Sequence, residues 1–260
     1  MCGGYTSTMF DLTGKIAIVT GVSTGLGLQL ARALATQGAK LAILAAQENE
    51  LRSVKEEMEK IGTVCIAIKC DLNNERLVNK AIEAIIEKCG TIDILVNNAG
   101  IADITPAEEM TMLQWDEIFN TNVRSIFMVS RAVGNYMIQK KYGKIINISS
   151  IFGAIASRKF TIAHYIASKH SVVGLTKALA VEWAKYNITV NAIGPGFFAS
   201  EMTQEEMDTK QFKEDINSFC PMQRLGKNGE LDGALIYLAS DASSYTTGHV
   251  LMVDGGWTTV

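Results

Sequence analysis

The chain has 260 residues, 48% hydrophobic and 20% charged, with a formal net charge of -3. That mildly acidic balance offers no basic footprint for nucleic acid, and no stretch approaches the roughly 18 uninterrupted apolar residues that a membrane span needs. The opening MCGGYTSTMFDLTGK lacks a basic region followed by an apolar run, and Cys2, Cys65, Cys70, Cys89 and Cys220 are scattered without a C-x-x-C pair, so a reduced, cytoplasmic protein with no metal site is expected.

After a polar lead-in, Lys15 to Thr20 (KIAIVT) is a continuous apolar, β-branched run that predicts a strand covered on both faces. From Gly25 to Gln37 the period changes: Leu26, Leu30, Ala33 and Leu34 share one helical face, and Gly38 supplies the stop. The alternation repeats, predicting strand 41–45, helix 48–61, strand 64–69, helix 74–89 and strand 92–96. A long helix over 113–139, strand 144–149, helix 163–186 and strand 189–193 follow; an irregular to helical stretch then runs to about 230, before helix 231–240 and strand 250–253. Seven strands separated by helices, almost without hairpin signals, predict an α/β fold of Rossmann type: a doubly wound, seven-stranded parallel sheet with helices on both faces. No linker or low-complexity segment interrupts it, so residues 1–260 read as one domain.

Residues 20–27 read TGVSTGLG, and Gly21 to Gly25 also spell the G-x-S-x-G of a hydrolase nucleophile elbow. Position along the chain separates the two readings. A hydrolase builds its oxyanion hole from a loop after an earlier strand, and no strand signal precedes Ser23. A glycine-rich turn needs only free backbone N–H groups and the positive end of a helix dipole to hold a pyrophosphate. Gly21 permits the tight turn, Gly25 and Gly27 allow close approach, and Ser23 and Thr24 can donate hydroxyls; a purely structural βα turn uses the same residues.

Further signals fall at strand ends. Asp71 stands where a side chain could hold an adenine amino group, or could cap the helix that follows. Asn97-Asn98-Ala99-Gly100 comes after the fourth strand, across the point where strand order reverses and ligands bind. Ser149-Ser150 ends the fifth strand, and Tyr165 and Lys169, at i and i+4, share one helix face. A phenol with an ordinary pKa of about 10 is a poor base at neutral pH, but a fixed ammonium favours the phenolate. Lys169 can supply that charge, Ser150 can bond the reacting oxygen, Tyr165 can move the proton, and a nicotinamide carries the hydride.

These motifs resemble the short-chain dehydrogenase/reductase family over nearly the whole chain, from Lys15 to the VDGG at 253–256. The resemblance implies an NAD(P)-dependent oxidoreductase that interconverts a secondary alcohol and a ketone. The family's glycine motif appears as Thr20-Gly21-x-x-x-Gly25-x-Gly27, its NNAG as 97–100, and its catalytic tetrad as Asn122, Ser150, Tyr165 and Lys169. By resemblance, Asn122 breaks a helix ladder and holds a water that relays protons to Lys169. Implied cofactor contacts add Leu26, Ala45, Ala46, Asp71, Leu72, Asn98, Ala99 and Gly100, with Pro195 and Gly196 at the nicotinamide and Phe198 near its carboxamide. An ordinary Pro/Gly turn closing the sixth strand is the alternative for Gly194-Pro195-Gly196. A homotetramer is also implied, pairing through helices 113–139 and 163–186 and the C-terminal segment.

Cofactor choice rests on LAILAAQENE, where an acid would grip the ribose diol and an arginine would welcome a 2′-phosphate. Ala45 and Ala46 occupy those places and Thr24 is neutral, so both NADP and NAD stay open, with NADP the expectation. Two loops bear on the small-molecule substrate. IFGAIASRKFTIAH holds Arg158 and Lys159, which could pair with a substrate carboxylate or be solvated surface charges. A substrate lid is expected at about 196–225, where Phe197, Phe198, Met202 and Phe219 could line an apolar pocket or pack the lid down. NAIGPGFFASEMT, with RLG, ASDAS, GHVLMVDGG and FDLTGKIAIVTG, most resembles the gluconate 5-dehydrogenase branch, which implies a sugar acid or polyol. A 3-oxoacyl-carrier-protein reductase and a hydroxysteroid dehydrogenase are the runners-up.

Overall fold

The computed structural model describes residues 9–23, 25–198 and 209–260. Its strands are β1 (Ile16–Thr20), β2 (Lys40–Ala45), β3 (Cys65–Lys69), β4 (Ile94–Asn97), β5 (Gly143–Ile148), β6 (Ile188–Pro195) and β7 (Val250–Val253). They pair in parallel as a single sheet in the order β3-β2-β1-β4-β5-β6-β7. The chain starts at the centre, winds out to β3, then crosses to the other side of β1 at β4. Connections leaving β1 and β4 therefore diverge, and a crevice opens at their carboxyl ends.

The helices are α1 (Gly25–Thr36), α2 (Glu48–Ile61), α3 (Glu75–Cys89), α4 (Met112–Phe119), α5 (Ser125–Lys140), α6 (Ala163–Trp183), α7 (Lys210–Phe219) and α8 (Asp232–Ala239). On one face α1, α2 and α8 bury Leu30, Leu34, Val54, Met58 and Leu235 against Val19 and Ile43. On the other α3, α5 and α6 bury Val78, Ile82, Ile85, Val133 and Leu179 against Ile18, Leu44 and Leu95. Covering both faces is why the strands read as unbroken apolar runs, each such side chain contributing roughly 1.5–3 kcal/mol on burial.

Two segments differ from the expected pattern. The helix expected over 113–139 is divided by a π-helical turn, Asn120–Arg124, between α4 and α5. Hydrophobic periodicity does not register one extra residue in a helical ladder. The stretch expected to be irregular to helical contains α7, which Thr209 caps by accepting the Phe212 amide at 3.2 Å, and which buries Phe212 and Ile216. Among the described residues no helix is long and apolar enough to cross a membrane.

Candidate active site

β1 ends at Thr20, and Gly21 turns the chain with a φ of +66°. A Cβ there would lie 2.6 Å from the Ala99 Cα, so the first turn touches the NNAG segment backbone to backbone. A Cβ on Gly27 would collide with the Gly21 carbonyl oxygen, which seats α1 directly on the turn. Asn98 braces this contact: its Nδ2 donates to Gly21 O at 2.7 Å, and the Asn98 and Ala99 amides donate to Thr20 Oγ1 at 3.0 and 3.2 Å. The first turn of α1 carries no acidic residue. Its amides lack partners within the helix, so this end suits an anionic pyrophosphate, with Ser23 and Gly25 beside it. Thr24 lies outside the described residues.

Ala45 ends β2 in a buried position and Ala46 follows it, exposed, so neither an acid nor a cation stands at the second strand end. Asp71 is exposed beyond β3 with Leu72 half-buried beside it, and its carboxylate accepts the Asn73 amide at 2.9 Å. Asn74 caps α3 instead, accepting from the Leu77 amide at 3.2 Å. Asn97 turns inward: its Nδ2 donates to Ser130 Oγ at 3.0 Å and to Asn147 Oδ1 at 2.9 Å, tying β4 to β5 and α5 beneath the crevice.

Leu26, Asn98, Gly100, Ser150, Tyr165, Lys169, Pro195 and Gly196 line one cleft of about 240 Å³ at the crevice. Ile101, Ala102 and Ile148, not singled out from the sequence, line it too. Each adjoins a strand-end motif, the signal that could have found them. Ser150 caps the short turn after β5 by accepting the Phe152 amide at 3.2 Å, and it also hydrogen-bonds Tyr165. Lys169 is buried on α6, where its Nζ donates to Ile148 O at 3.1 Å and lies 5.5 Å from the centre of the Tyr165 ring. Burial pushes the Lys169 pKa down to about 8. Burial also pushes the Tyr165 phenol above its usual range, against the pull of the Ser150 bond. The lowering of Tyr165 expected from Lys169 is not seen, because desolvation of the phenolate is the largest effect on this phenol.

Asn122 sits in the π-helical turn, fully buried. Its Oδ1 accepts the Ile101 amide at 2.8 Å, and its Nδ2 donates to Ile101 O at 2.8 Å and Ser168 Oγ at 3.1 Å. A Cβ on Gly100 would lie 3.2 Å from Asn122 Oδ1 and 3.5 Å from Lys169 Nζ, so both side chains converge on that glycine.

Arg158 and Lys159 are not in this cleft. They border a separate pocket of about 320 Å³ walled by Phe152, Phe160, Phe197, Phe212 and Trp257, and Lys159 is ion-paired with Asp215 of α7. The Phe198 ring is buried against Gly226, close enough that a Cβ on that glycine would lie 2.5 Å from it, and it is not among the residues that line the cleft. Phe197 makes ring contacts with Phe152, Phe160, Phe212 and Trp257, at 5.0 to 6.2 Å between ring centres. Met202 lies outside the described residues.

A family model described as enoyl-(acyl carrier protein) reductase matches residues 21–258. Gluconate 5-dehydrogenase of Gluconobacter oxydans (strain 621H) is 39% identical over 250 residues, covering 96% of this chain and 97% of that protein. Two solved structures superpose closely. A gluconate 5-dehydrogenase from Burkholderia cenocepacia J2315, in complex with NADP and tartrate, is 36% identical with a TM-score of 0.93 over 97% of this chain and 98% of that one. A short-chain type dehydrogenase/reductase from Mycobacterium marinum is 36% identical with a TM-score of 0.92 over the same shares. With its glycine turn, doubly wound sheet and strand-end cleft, the chain belongs to the short-chain dehydrogenase/reductase family and is an NAD(P)-dependent oxidoreductase acting on CH–OH groups.

Proposed function

We propose that the enzyme interconverts a sugar acid and its keto form, reducing 5-keto-D-gluconate, with NADP(H) as the preferred coenzyme. The observation that carries this reading is the convergence of Ser150, Tyr165 and Lys169 in one cleft above the Gly21–Gly27 turn. The names of the Gluconobacter and Burkholderia relatives support the substrate class, and the NADP in the Burkholderia structure supports the coenzyme.

The geometry of the cleft supports the following roles. When bound, the nicotinamide gives or takes the hydride. Ser150 Oγ holds the substrate oxygen, and Tyr165 passes its hydroxyl proton to that oxygen as the ketone becomes an alcohol. Burial keeps the phenol protonated at neutral pH, the form that ketone reduction needs. Lys169 orients the phenol, while Asn122 fixes the Ile101 backbone and, by the family resemblance, would hold the water that relays protons to Lys169. Gly21, Ser23, Thr24, Gly25 and Gly27 would hold the coenzyme's pyrophosphate, and Ala45, Ala46, Asp71 and Leu72 would adjoin its adenosine. One domain carries both tasks, in the cytoplasm and as a homotetramer. Exposed Leu113, Phe127 and Val181 on α4, α5 and α6 support an interface through those helices.

The test is NADPH- and NADH-linked reduction of 5-keto-D-gluconate. Tyr165→Phe is expected to keep NADPH affinity and lose roughly 10²- to 10⁴-fold in kcat/KM. Turnover confined to acyl-carrier or steroid ketones would remove the sugar-acid reading, and undiminished turnover in Tyr165→Phe would remove the role of the phenol.

A further inference from the structure

His164 precedes Tyr165 on α6 and is wholly buried, yet neither ring nitrogen has a hydrogen-bond partner. A buried polar group left in that state costs about 1–3 kcal/mol, and an apolar side chain would fill the same space without that cost. One group is almost in reach: the Asp103 carboxylate oxygen stands 3.7 Å from His164 Nε2. That oxygen is held in place, accepting from Thr105 Oγ1 and from Gln114 Nε2, each at 2.9 Å.

Asp103 lies two residues beyond Ile101, whose amide and carbonyl Asn122 already clamps and whose side chain walls the cleft together with Ala102. Farther along, the Thr105 amide donates to Thr161 O at 2.9 Å. Segment 101–105 is therefore fastened at both ends, with its middle facing His164 across a gap about half an ångström too long for a hydrogen bond.

We propose that His164 and Asp103 form a latch that closes when substrate enters the cleft, drawing segment 101–105 towards Tyr165 as Nε2–H donates to the Asp103 carboxylate. His164 is then a positioning residue, acting on substrate through the Ile101–Ala102 wall. The unpartnered ring of the free enzyme is the open latch, and bond formation on closure contributes to substrate affinity instead of to folding. This rests on the cleft being the substrate site, as proposed above.

The test uses full-length His164→Leu, Asp103→Ala, the double variant and His164→Gln, with 5-keto-D-gluconate and NADPH as probes. Expected for His164→Leu are a Tm equal to or above that of the wild type, KM for the keto-acid raised roughly three- to tenfold, kcat within about twofold and an unchanged Kd for NADPH. The double variant should have a KM no worse than the poorer single variant, and His164→Gln, which restores a donor, should recover part of the loss. A lowered Tm with unchanged KM, or additive effects in the double variant, would overturn the latch. Amide exchange over 101–105 in the NADPH-loaded enzyme, with and without whichever keto-substrate the wild type turns over, reads the latch independently of that substrate's identity. Substrate-dependent slowing that is lost in His164→Leu supports the latch, and slowing that is equal in both proteins or absent from the wild type refutes it, even if the wild type proves inactive on 5-keto-D-gluconate and only the substrate assignment falls.

Discussion

Lys169 shows that a single residue can be held against the interest of stability. Its amine is buried and its pKa lies at about 8, below the 10.5 of a free lysine. Between those values the unfolded chain binds a proton that the folded chain does not, so stability rises with pH across that window; below pH 8 both states are protonated and the full desolvation penalty remains. Lys169→Met removes the penalty, at the loss of the bond to Ile148 O. The variant should be inactive yet more stable at pH 7 by about 1–3 kcal/mol, with the advantage shrinking as pH rises from 8 to 10.5 in denaturant melts. A stability difference constant over that range would show that burial does not burden the ammonium. At this scale the Tyr165–Lys169 pair was legible, because i and i+4 share a helix face in any helix. Lys159 and Phe198 were not. Lys159 is engaged by Asp215, far along the chain, and the Phe198 ring by Gly226, and neither partner can be inferred from local spacing.

At the scale of the element, α1 encodes its own docking. Gly27→Ala sets a methyl group against the Gly21 carbonyl and the Asn98 amide, two groups fixed by the β1–β4 contact. Such overpacking costs roughly 1–3 kcal/mol, so denaturant melts should show that loss, and fluorescence titration should show weakened NADPH binding. Gly233→Ala in α8 is the control: nothing lies within 4 Å of its Cβ position, and alanine favours a helix by about 1 kcal/mol over glycine. Equal stability of the two variants would contradict the close seating of α1. The strands and most helices could be read from period alone. The division of 113–139 could not, because α4 and α5 continue one another in direction and the π-helical turn between them is visible only in its hydrogen bonds.

For the whole molecule, the apolar surface on α4, α5 and α6 bears on assembly. Val181 is 81% exposed and Leu113 78%, large solvent exposures for residues on helices that pack side by side. Sedimentation velocity should give a tetramer for the wild type, and Val181→Glu should shift it to smaller species with its fold intact by circular dichroism. A monomeric wild type would end the tetramer proposal.

What the chain determined by itself is whatever a local pattern encodes: strand and helix periods, the glycine turn after β1, the NNAG segment, and the one-turn spacing of Tyr165 and Lys169. Only the tertiary structure decided that Lys159 faces Asp215, that the Phe198 ring packs on Gly226, that Asn122 clamps Ile101, and that His164 meets Asp103 across a gap too long to bond. Those outcomes depend on which distant side chain the fold brings to each position, and burial sets the balance between desolvation and pairing that no window of sequence contains.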